Sequence, residues 1–326
     1  MMHLQFWDTL HAVILSRALY SAAELGLADH LHPQARDLTA LASLTGTDAP
    51  SLERLLRFLI VAGFFDKQPD GTYRNNVSSE YMRKDHPQTM YPFLLHDDET
   101  RWNSFGHLSY SVKTGKPSFD MLYGKSYFQY LSEHPTLSHR FDLAMTIISD
   151  QEETTIANTL SFEGTVADIG GGRGTLLKKI MPANPAVEKT VLFDLPQVVT
   201  AISNADLAPV TKALGGSFFE PINIEANIFI LKRILHDWND EQAITILKNI
   251  AVTMRATDTL YIIDAIVDEC ADKKMITAVD LGLFAIFGGK ERDYAEFQNI
   301  FTAAGLTLIS RKAIAPTLHV MKCQKK

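Results

Sequence analysis

The first eighty residues carry apolar positions at helical spacing, followed by a turn signal. The first predicted helix places its apolar side chains three or four residues apart, at Leu10, Ile14, Ala18, Ala22 and Leu25. A second amphipathic helix is predicted at 52–60, with Asp48 and Ser51 as its caps. The turn at Pro69, Asp70 and Gly71 then lies between two short apolar runs, a pattern typical of a β-hairpin. Helices followed by a small hairpin indicate a winged-helix-like module.

The rest of the chain changes from a mainly helical pattern to alternating strands and helices. Residues 86–162 are predicted to be mostly helical and are rich in aromatic side chains. A helix is predicted at 240–254, with Asn239 and Gln242 as its capping box. Strands are predicted at 165–169, 190–193, 227–231, 260–263, 307–310 and 317–321. This alternation predicts a doubly wound, mainly parallel sheet, whose ligands bind at the carboxyl ends of the strands.

Composition narrows the class of protein. The 326 residues have 46% hydrophobic content, and the formal net charge of −7 disfavours nucleic acid or an anionic membrane face as a partner. The only two cysteines are Cys270 and Cys323, so neither a disulfide framework nor a zinc site is expected. Arg17 and Glu24 interrupt the most apolar early stretch, and the N-terminus lacks the form of a signal peptide. We therefore expect a cytoplasmic protein.

A glycine-rich turn follows the first strand of the predicted sheet. Gly170, Gly172 and Gly174 have the spacing G-x-G-x-G, and the Lys-Ser/Thr pair of a phosphate loop does not follow them. A dinucleotide fingerprint requires glycine at position 175, which is Thr175. The observed spacing is the form used to bind S-adenosylmethionine (SAM). Asp194 ends the next strand and could bind both ribose hydroxyls, but NAD and SAM share that need, so Asp194 does not discriminate between them.

His236 and two carboxylates are candidates for acid–base chemistry. His236 and Asp264 each follow a predicted strand, and because the ends of adjacent parallel strands lie side by side, we expect their side chains to meet. Glu291 follows the flexible pair Gly288-Gly289 and could approach from the other side. A carboxylate on one ring nitrogen fixes the histidine tautomer and stabilises its protonated form, which suits a general base. Lys232 and Arg233 alternate along a strand end, so at least one is expected to be solvated. Of the acids after His236, Asp237 and Asp240 could be taken for metal ligands, but Asp240, like Asn239, more simply caps the following helix.

The chain resembles the SAM-dependent O-methyltransferases of the caffeic acid, isoflavone and hydroxyindole type, whose bacterial relatives act on polyketides and phenazines. The resemblance covers nearly the whole chain. It is strongest at 231–240, which reads Leu-Lys-Arg-Ile-Leu-His-Asp-Trp-Asn-Asp, and at 288–292, which reads Gly-Gly-Lys-Glu-Arg. These two segments are far more specific than the glycine turn, which many methyltransferases share.

The resemblance implies a fold and a set of residue roles. It implies a mostly helical, winged-helix-like domain at 1–92 that forms a homodimer. It also implies that this domain is followed by a Rossmann-like α/β methyltransferase domain at 93–326, which includes a helical segment at 93–162. His236 matches the catalytic base, flanked by Asp264 and Glu291. The implied substrate residues are Met145, Trp102 and Phe141. The implied cofactor residues are Asp168, Gly170, Gly172, Gly174, Asp194, Leu195, Ser217, Phe218, Lys232 and Ser149.

Two positions depart from the pattern of that family. Ser217 stands where the family usually has an aspartate near the adenine, so a weaker hold on the cofactor is expected. Asp264 stands where the family usually has glutamate, which is one methylene longer. Its contact with His236 is therefore expected to be longer or mediated by water.

Together these residues predict methyl transfer from SAM to a hydroxyl of a small aromatic acceptor. Two alternatives stay open: methylation of an aromatic ring nitrogen, which needs no base, and a winged-helix regulator that senses SAM or an aromatic ligand. Residues 1–85 contain eight basic and ten acidic residues, a net charge of −2. A DNA-binding module would need the opposite sign, so the regulator is the weaker hypothesis.

Overall fold

A computed structural model describes residues 2–203 and 206–326, with their side chains from residue 6 onward. The chain divides into two compact units. The first comprises the chain up to Glu99 together with His139–Ile147, and the second comprises Thr100–Ser138 and Ile148–Lys326. The predicted domain boundary between residues 92 and 93 stays a prediction.

The first unit contains helices and one hairpin, as predicted. Asp48 caps its fourth helix by accepting a hydrogen bond from the Ser51 backbone N–H at 3.0 Å. Its core is formed by fully buried side chains that include Leu27, Leu41 and Leu56. Strands β1 (Asp66–Lys67) and β2 (Tyr73–Arg74) pair antiparallel around the predicted turn. The helices are α1 (Met2–Glu24), α2 (Leu27–His30), α3 (Leu38–Thr45), α4 (Ala49–Val61), α5 (Val77–Glu80) and α6 (Tyr91–Leu94).

The aromatic middle segment is helical, as predicted, and a glycine and a proline mark the ends of two of its helices. Gly115 follows one helix with a φ of 70°, a left-handed conformation that favours glycine. Pro135 is the first residue of the longest helix, where its missing N–H costs no hydrogen bond. The helices are α7 (Glu99–Gly106), α8 (Leu108–Thr114), α9 (Ser118–Tyr123), α10 (Tyr127–Glu133) and α11 (Pro135–Thr159).

A seven-stranded sheet in the order β5-β4-β3-β6-β7-β9-β8 forms the centre of the second unit. Its strands are β3 (Gly164–Ile169), β4 (Val187–Asp194), β5 (Thr211–Gly215), β6 (Ile228–Lys232), β7 (Thr259–Asp264), β8 (Leu306–Ala315) and β9 (Leu318–Lys325). Strands β3 to β7 pair in parallel, whereas β9 is antiparallel to both β7 and β8. The predicted doubly wound, mainly parallel sheet is confirmed. Strand β5 was not predicted, because this edge strand is only partly buried and has no continuous apolar run.

Helices cover both faces of the sheet. On β6, Phe229 and Leu231 pack with α14 on one face, while Ile228 and Ile230 pack with α12 on the other. The helices are α12 (Thr175–Ala183), α13 (Pro196–Thr200), α14 (Asp240–Thr253), α15 (Lys273–Ile286) and α16 (Tyr294–Ala303), with a 3-10 turn at Leu235–Asp237. Because the strand order reverses between β3 and β6, we expect ligands to bind at their carboxyl ends. Among the described residues, no helix is long and apolar enough to cross a bilayer.

Candidate active site

The glycine turn after β3 is built on left-handed backbone. Gly170, Gly172 and Gly174 have φ values of 75°, 55° and 74°, which residues with a Cβ rarely adopt. The Gly172 N–H donates a hydrogen bond to Asp194 Oδ2 at 2.8 Å, so the turn is tied to the end of β4. A Cβ added at Gly172 would meet no described atom within 4 Å. At Gly172 the turn therefore presents bare backbone to open space, which allows a ligand to approach closely.

Asp194 and Leu195 lie at the end of β4, beside this turn. The second oxygen of Asp194, Oδ1, accepts from the Leu195 N–H at 2.7 Å. Burial raises the pKa of Asp194, while the two backbone donors, Gly172 and Leu195, oppose that rise. The carboxylate is thus held in one orientation by two N–H groups.

A second pair of acids lies behind the turn. Asp168, near the end of β3, is buried, and its pKa is raised to about 7 by burial and then by the charge of Glu153. Glu153, on α11, accepts from Thr175 Oγ1 at 2.9 Å at the start of α12. The other oxygen of Glu153 has no hydrogen-bond partner among the described residues. The sequence pattern did not single out Glu153, because an acid in a long helix carries no motif.

Lys232 and Arg233, at the end of β6, are both largely removed from solvent. Lys232 Nζ donates to Ser149 Oγ at 2.8 Å and lies 3.9 Å from Glu152 Oε2, and its side chain is 9% exposed. Arg233 Nη2 donates to Glu152 Oε1 at 2.7 Å and to the Thr317 carbonyl at 3.1 Å. The expectation that one of the two cations is solvated is wrong, because Glu152 on α11 pairs with both.

His236 lies in the 3-10 turn after β6, against two carboxylates from other segments. Its Nδ1 lies 2.9 Å from Glu291 Oε1 and 3.6 Å from Asp264 Oδ1. Since an ionised carboxylate only accepts, Nδ1 carries the hydrogen of this bond. The predicted meeting of His236 and Asp264 is confirmed, and the Asp264 contact is the longer one, as its shorter side chain predicts. Burial lowers the pKa of His236, but Asp264, Asp237 and Glu291 outweigh it and raise that pKa to about 9.

Arg292 holds the loop that carries His236. This side chain is fully buried and donates from Nη1 to the Leu235 carbonyl at 2.6 Å and from Nη2 to the Trp238 carbonyl at 2.7 Å. Its Nε donates to Asp240 Oδ1 at 2.9 Å. The interpretation of Asp240 as a helix cap is therefore wrong, and Asn239 alone caps α14, by accepting from the Gln242 N–H at 3.0 Å. The role of Arg292 was not predicted, although it is part of the Gly-Gly-Lys-Glu-Arg segment.

The predicted substrate residues fall in different units. Trp102 is half-buried on α7 in the second unit. Phe141 and Met145, on α11, belong to the first unit, where the Phe141 ring lies 5.5 Å from the His96 ring. Their roles toward a substrate stay predictions.

The second unit also contains an aromatic group that the sequence did not predict in detail. The Phe128 ring stacks on Trp238 at 5.6 Å and on Phe287 at 5.2 Å, with 28° between the ring planes in each case. Trp238 also packs edge-on against Phe218 at 5.8 Å and against Phe219. Ser217, at one of the departures from the family pattern, accepts from the Phe219 N–H at 3.3 Å. All of these side chains are half-buried.

The acids around His236 are paired with cations from the protein. His236, Asp264 and Glu291 bring three potential metal-binding atoms within 4.8 Å of one another. Arg233 Nη1, however, lies 3.9 Å from Asp264 Oδ1 and 3.8 Å from Glu291 Oε1. Because a guanidinium and an imidazole already pair with these oxygens, we interpret the group as a charge-paired histidine site rather than a metal site.

Comparison with known proteins identifies the family. The chain matches the family model of the O-methyltransferase domain over residues 105–307 and that of the O-methyltransferase dimerisation domain over residues 7–85. It belongs to the O-methyltransferase family. The methyltransferase is an enzyme that uses SAM as its methyl donor, which sets aside the regulator hypothesis.

Its relatives act on aromatic natural products. The methyltransferase is 34% identical to the mitomycin biosynthesis 6-O-methyltransferase of Streptomyces lavendulae, over 92% of this chain and 87% of that protein. It is 30% identical to the phenazine O-methyltransferase of Lysobacter antibioticus, over 90% of this chain and 88% of that protein. The solved structure of an O-methyltransferase from neocarzinostatin biosynthesis, bound to SAM and 2-hydroxy-5-methyl naphthoic acid, matches with a TM-score of 0.85 at 29% identity, over 96% of both chains.

Proposed function

We propose that the enzyme methylates a hydroxyl group of a small aromatic acceptor and that His236 is the general base. The observation that carries this proposal is the contact between His236 Nδ1 and Glu291 Oε1 at 2.9 Å. That bond occupies Nδ1, and Asp237 Oδ1, at 3.6 Å from Nε2, lies beyond hydrogen-bonding distance. The Nε2 atom is therefore available to receive a proton from an acceptor.

The strength of this base suits a phenol. A phenol with a pKa of about 10 is ionised to roughly one part in a thousand at pH 7, so removing its proton can recover up to about 4 kcal/mol of the barrier. The pKa of His236 is about 9, close to that of the phenol, so the proton transfer between them is nearly balanced. The same pKa keeps His236 protonated near neutral pH. Below pH 9, the reactive form of His236, with one proton fewer, therefore increases about tenfold for each unit by which the pH rises.

The residues around the glycine turn suit SAM. When bound, SAM supplies a methyl group activated by a positively charged sulfonium. We propose that Gly170, Gly172 and Gly174 present backbone to it, that Asp194 and Leu195 hold its ribose, and that Ser217 and Phe218 border its adenine. Lys232 and Ser149, joined by a hydrogen bond of 2.8 Å, border the methionine end. The buried carboxylate of Asp168 adds negative charge that complements the cation.

An aromatic acceptor is supported by the relatives and by the stacked rings. The Phe128, Trp238 and Phe287 rings are half-buried, and Trp238 is two residues from His236. Flat apolar faces of this kind favour planar ring systems over flexible chains. We propose that Trp102, Phe141 and Met145 also contact the acceptor.

We propose that the first unit forms a homodimer through α1. Among its side chains described from residue 6 onward, this helix exposes the large apolar residues Phe6, Trp7, Leu10, Val13 and Ile14, each at least 49% exposed. An apolar stripe of this size on one helix is typical of an interface between subunits. Light scattering should show a dimer for the natural chain and a monomer for Leu10→Asp, whereas a dimer in both would argue against α1 as the interface.

The base assignment is tested by removing the imidazole. His236→Ala should retain SAM binding in calorimetry and lose at least 100-fold in transfer to hydroxylated naphthoic acids and phenazines, the magnitude expected for a general base. Unchanged transfer in this variant would exclude His236 as the base. Product analysis distinguishes a methoxy group from an N-methyl group and so tests the acceptor atom separately.

A further inference from the structure

Arg233 adopts a backbone conformation that its residue type disfavours. Its φ is 54°, in the left-handed region where glycine and asparagine are the usual residues. The Arg233 N–H donates to the Ile263 carbonyl at 2.9 Å, which continues the pairing of β6 with β7 by one residue. Backbone strain of this kind persists only where the surrounding structure holds the residue in place, and it is concentrated at functional sites.

The guanidinium of Arg233 reaches the acids that hold the histidine. Its Nη1 lies 3.9 Å from Asp264 Oδ1 and 3.8 Å from Glu291 Oε1. These are the same two oxygens that face His236 Nδ1, at 3.6 and 2.9 Å. Each of the two oxygens is therefore shared between the guanidinium and the imidazole. The other oxygens, Asp264 Oδ2 and Glu291 Oε2, are buried and have no hydrogen-bond partner in the part of the chain that the structure describes.

We propose that Arg233 is a positioning residue that competes with His236 for these two carboxylate oxygens and thereby limits how tightly the histidine holds its proton. The inference rests on the proposed role of His236 as the base. A base must be free of its proton to act, and three carboxylates around one imidazole favour the protonated form. A fixed cation on the far side of two of those carboxylates weakens that preference. Arginine suits the task because its guanidinium stays charged when buried.

The charges that face this group come from several elements. Glu152 on α11 pairs with Arg233 at 2.7 Å and is shared with Lys232 at 3.9 Å. Asp237 lies on the other side of the imidazole. His319 on β9 lies opposite Asp264, and burial lowers the pKa of His319. Three further groups complete the surroundings. The charge of Arg292 acts on Asp264, and the charge of Arg101 acts on Asp237. The charges of Arg233 and Glu291 act on the Cys270 thiol.

The test compares variants that separate charge from shape. Arg233→Asn removes the charge and tolerates the left-handed backbone, so the chain should fold, as checked by circular dichroism. Arg233→Lys keeps the charge. Lys248→Gln removes one positive charge from the exposed face of α14 and serves as the control. The titration midpoint of His236 is followed by NMR of protein with 13C-labelled histidine and no ligand, with the signal assigned through His236→Ala.

We expect Arg233→Asn to raise the midpoint of His236 by roughly one pH unit, as loss of a nearby cation should. Arg233→Lys should restore most of the natural value, and Lys248→Gln should leave it unchanged. In Arg233→Asn, the rising part of the pH profile of kcat/KM should shift to higher pH by the same amount as the NMR midpoint. An unchanged or lowered midpoint in Arg233→Asn, or no restoration by lysine, would overturn the inference. The NMR readout needs no turnover, so it separates this outcome from a failure of His236 as the base.

Discussion

His236 Nδ1 and Glu291 Oε1 lie 2.9 Å apart and join two loops that are 55 residues apart in sequence. The first loop follows β6, and the second precedes α16. Because the histidine is oriented by a residue of the second loop, the geometry of this proposed base depends on how the two loops pack together. The following variants test that dependence and the charges that surround the site.

Replacing Glu291 with glutamine should change the pH dependence of catalysis. The amide can still accept a hydrogen bond from Nδ1, but it lacks one of the charges that raise the pKa of His236 to about 9. Loss of a neighbouring carboxylate charge lowers the pKa of His236. In a plot of kcat/KM against pH, the rising part of the curve should therefore shift to lower pH by roughly one unit. Glu241→Gln, at an exposed position on α14, is the matched control. An unchanged pH profile of kcat/KM in Glu291→Gln would show that this carboxylate does not affect the pKa of His236.

Gly289 should not tolerate a side chain. A Cβ at this position would collide with the His236 carbonyl oxygen and with Asp237 Cα at 2.8 Å, both backbone atoms that cannot turn aside. Gly289→Ala should therefore displace the histidine loop and lower kcat on the order of 100-fold, with SAM affinity retained. Gly106→Ala, where an added Cβ meets nothing within 4 Å, should have full activity. Equal activity in the two variants would contradict the close packing of the loops.

Arg292 should be important for stability as well as for catalysis. Arg292→Met would leave the Asp240 carboxylate and the Leu235 and Trp238 carbonyls without this donor, at a cost of roughly 3 kcal/mol. Lys248→Met, which removes an exposed charge from α14, should stay within about 0.5 kcal/mol. The comparison is made by thermal unfolding. Matching transition midpoints in the two variants would argue against Arg292 as the support of the loop.

SAM binding should depend on pH through Asp168. Burial raises the pKa of this carboxyl to about 7, so it is mostly protonated at pH 6 and mostly ionised at pH 8. A bound cation favours the ionised form, so SAM affinity should rise about fivefold from pH 6 to pH 8, with release of protons. Calorimetry in buffers of different ionisation enthalpy measures that release.

S-adenosylhomocysteine and Asp168→Asn are the controls for this prediction. The first ligand lacks the sulfonium charge, so its affinity should rise less with pH. The asparagine side chain of Asp168→Asn cannot ionise, so SAM affinity should depend less on pH in this variant. The same pH dependence for both ligands would show that Asp168 does not sense the sulfonium.

The parts of the site that follow local rules were predictable from the sequence. The spacing of Gly170, Gly172 and Gly174 dictates a tight turn after a buried strand, and Asp194 then lies at the end of the neighbouring strand. His236 and Asp264 meet because β6 and β7 are adjacent and parallel. Strand β5 escaped prediction because the edge of a sheet needs no apolar run.

The charge pairs were not predictable, because they join residues that are distant in sequence. Arg233 pairs with Glu152, 81 residues earlier, and Arg292 with Asp240, 52 residues earlier. Alternation along a strand end suggested that either Lys232 or Arg233 would be solvated. Nothing in the local pattern shows that a long helix places Ser149 beside Lys232 and Glu152 beside both cations.

The most direct test of His236 as the base uses acceptors of one shape whose hydroxyl pKa ranges from about 7 to about 10, the value of an ordinary phenol. Single-turnover rates of methyl transfer at pH 8 are compared between the natural enzyme and His236→Ala. If His236 removes the proton, the loss in the variant should be small for the most acidic hydroxyl and at least 100-fold for the least acidic one. A loss that is the same for every acceptor would contradict the account.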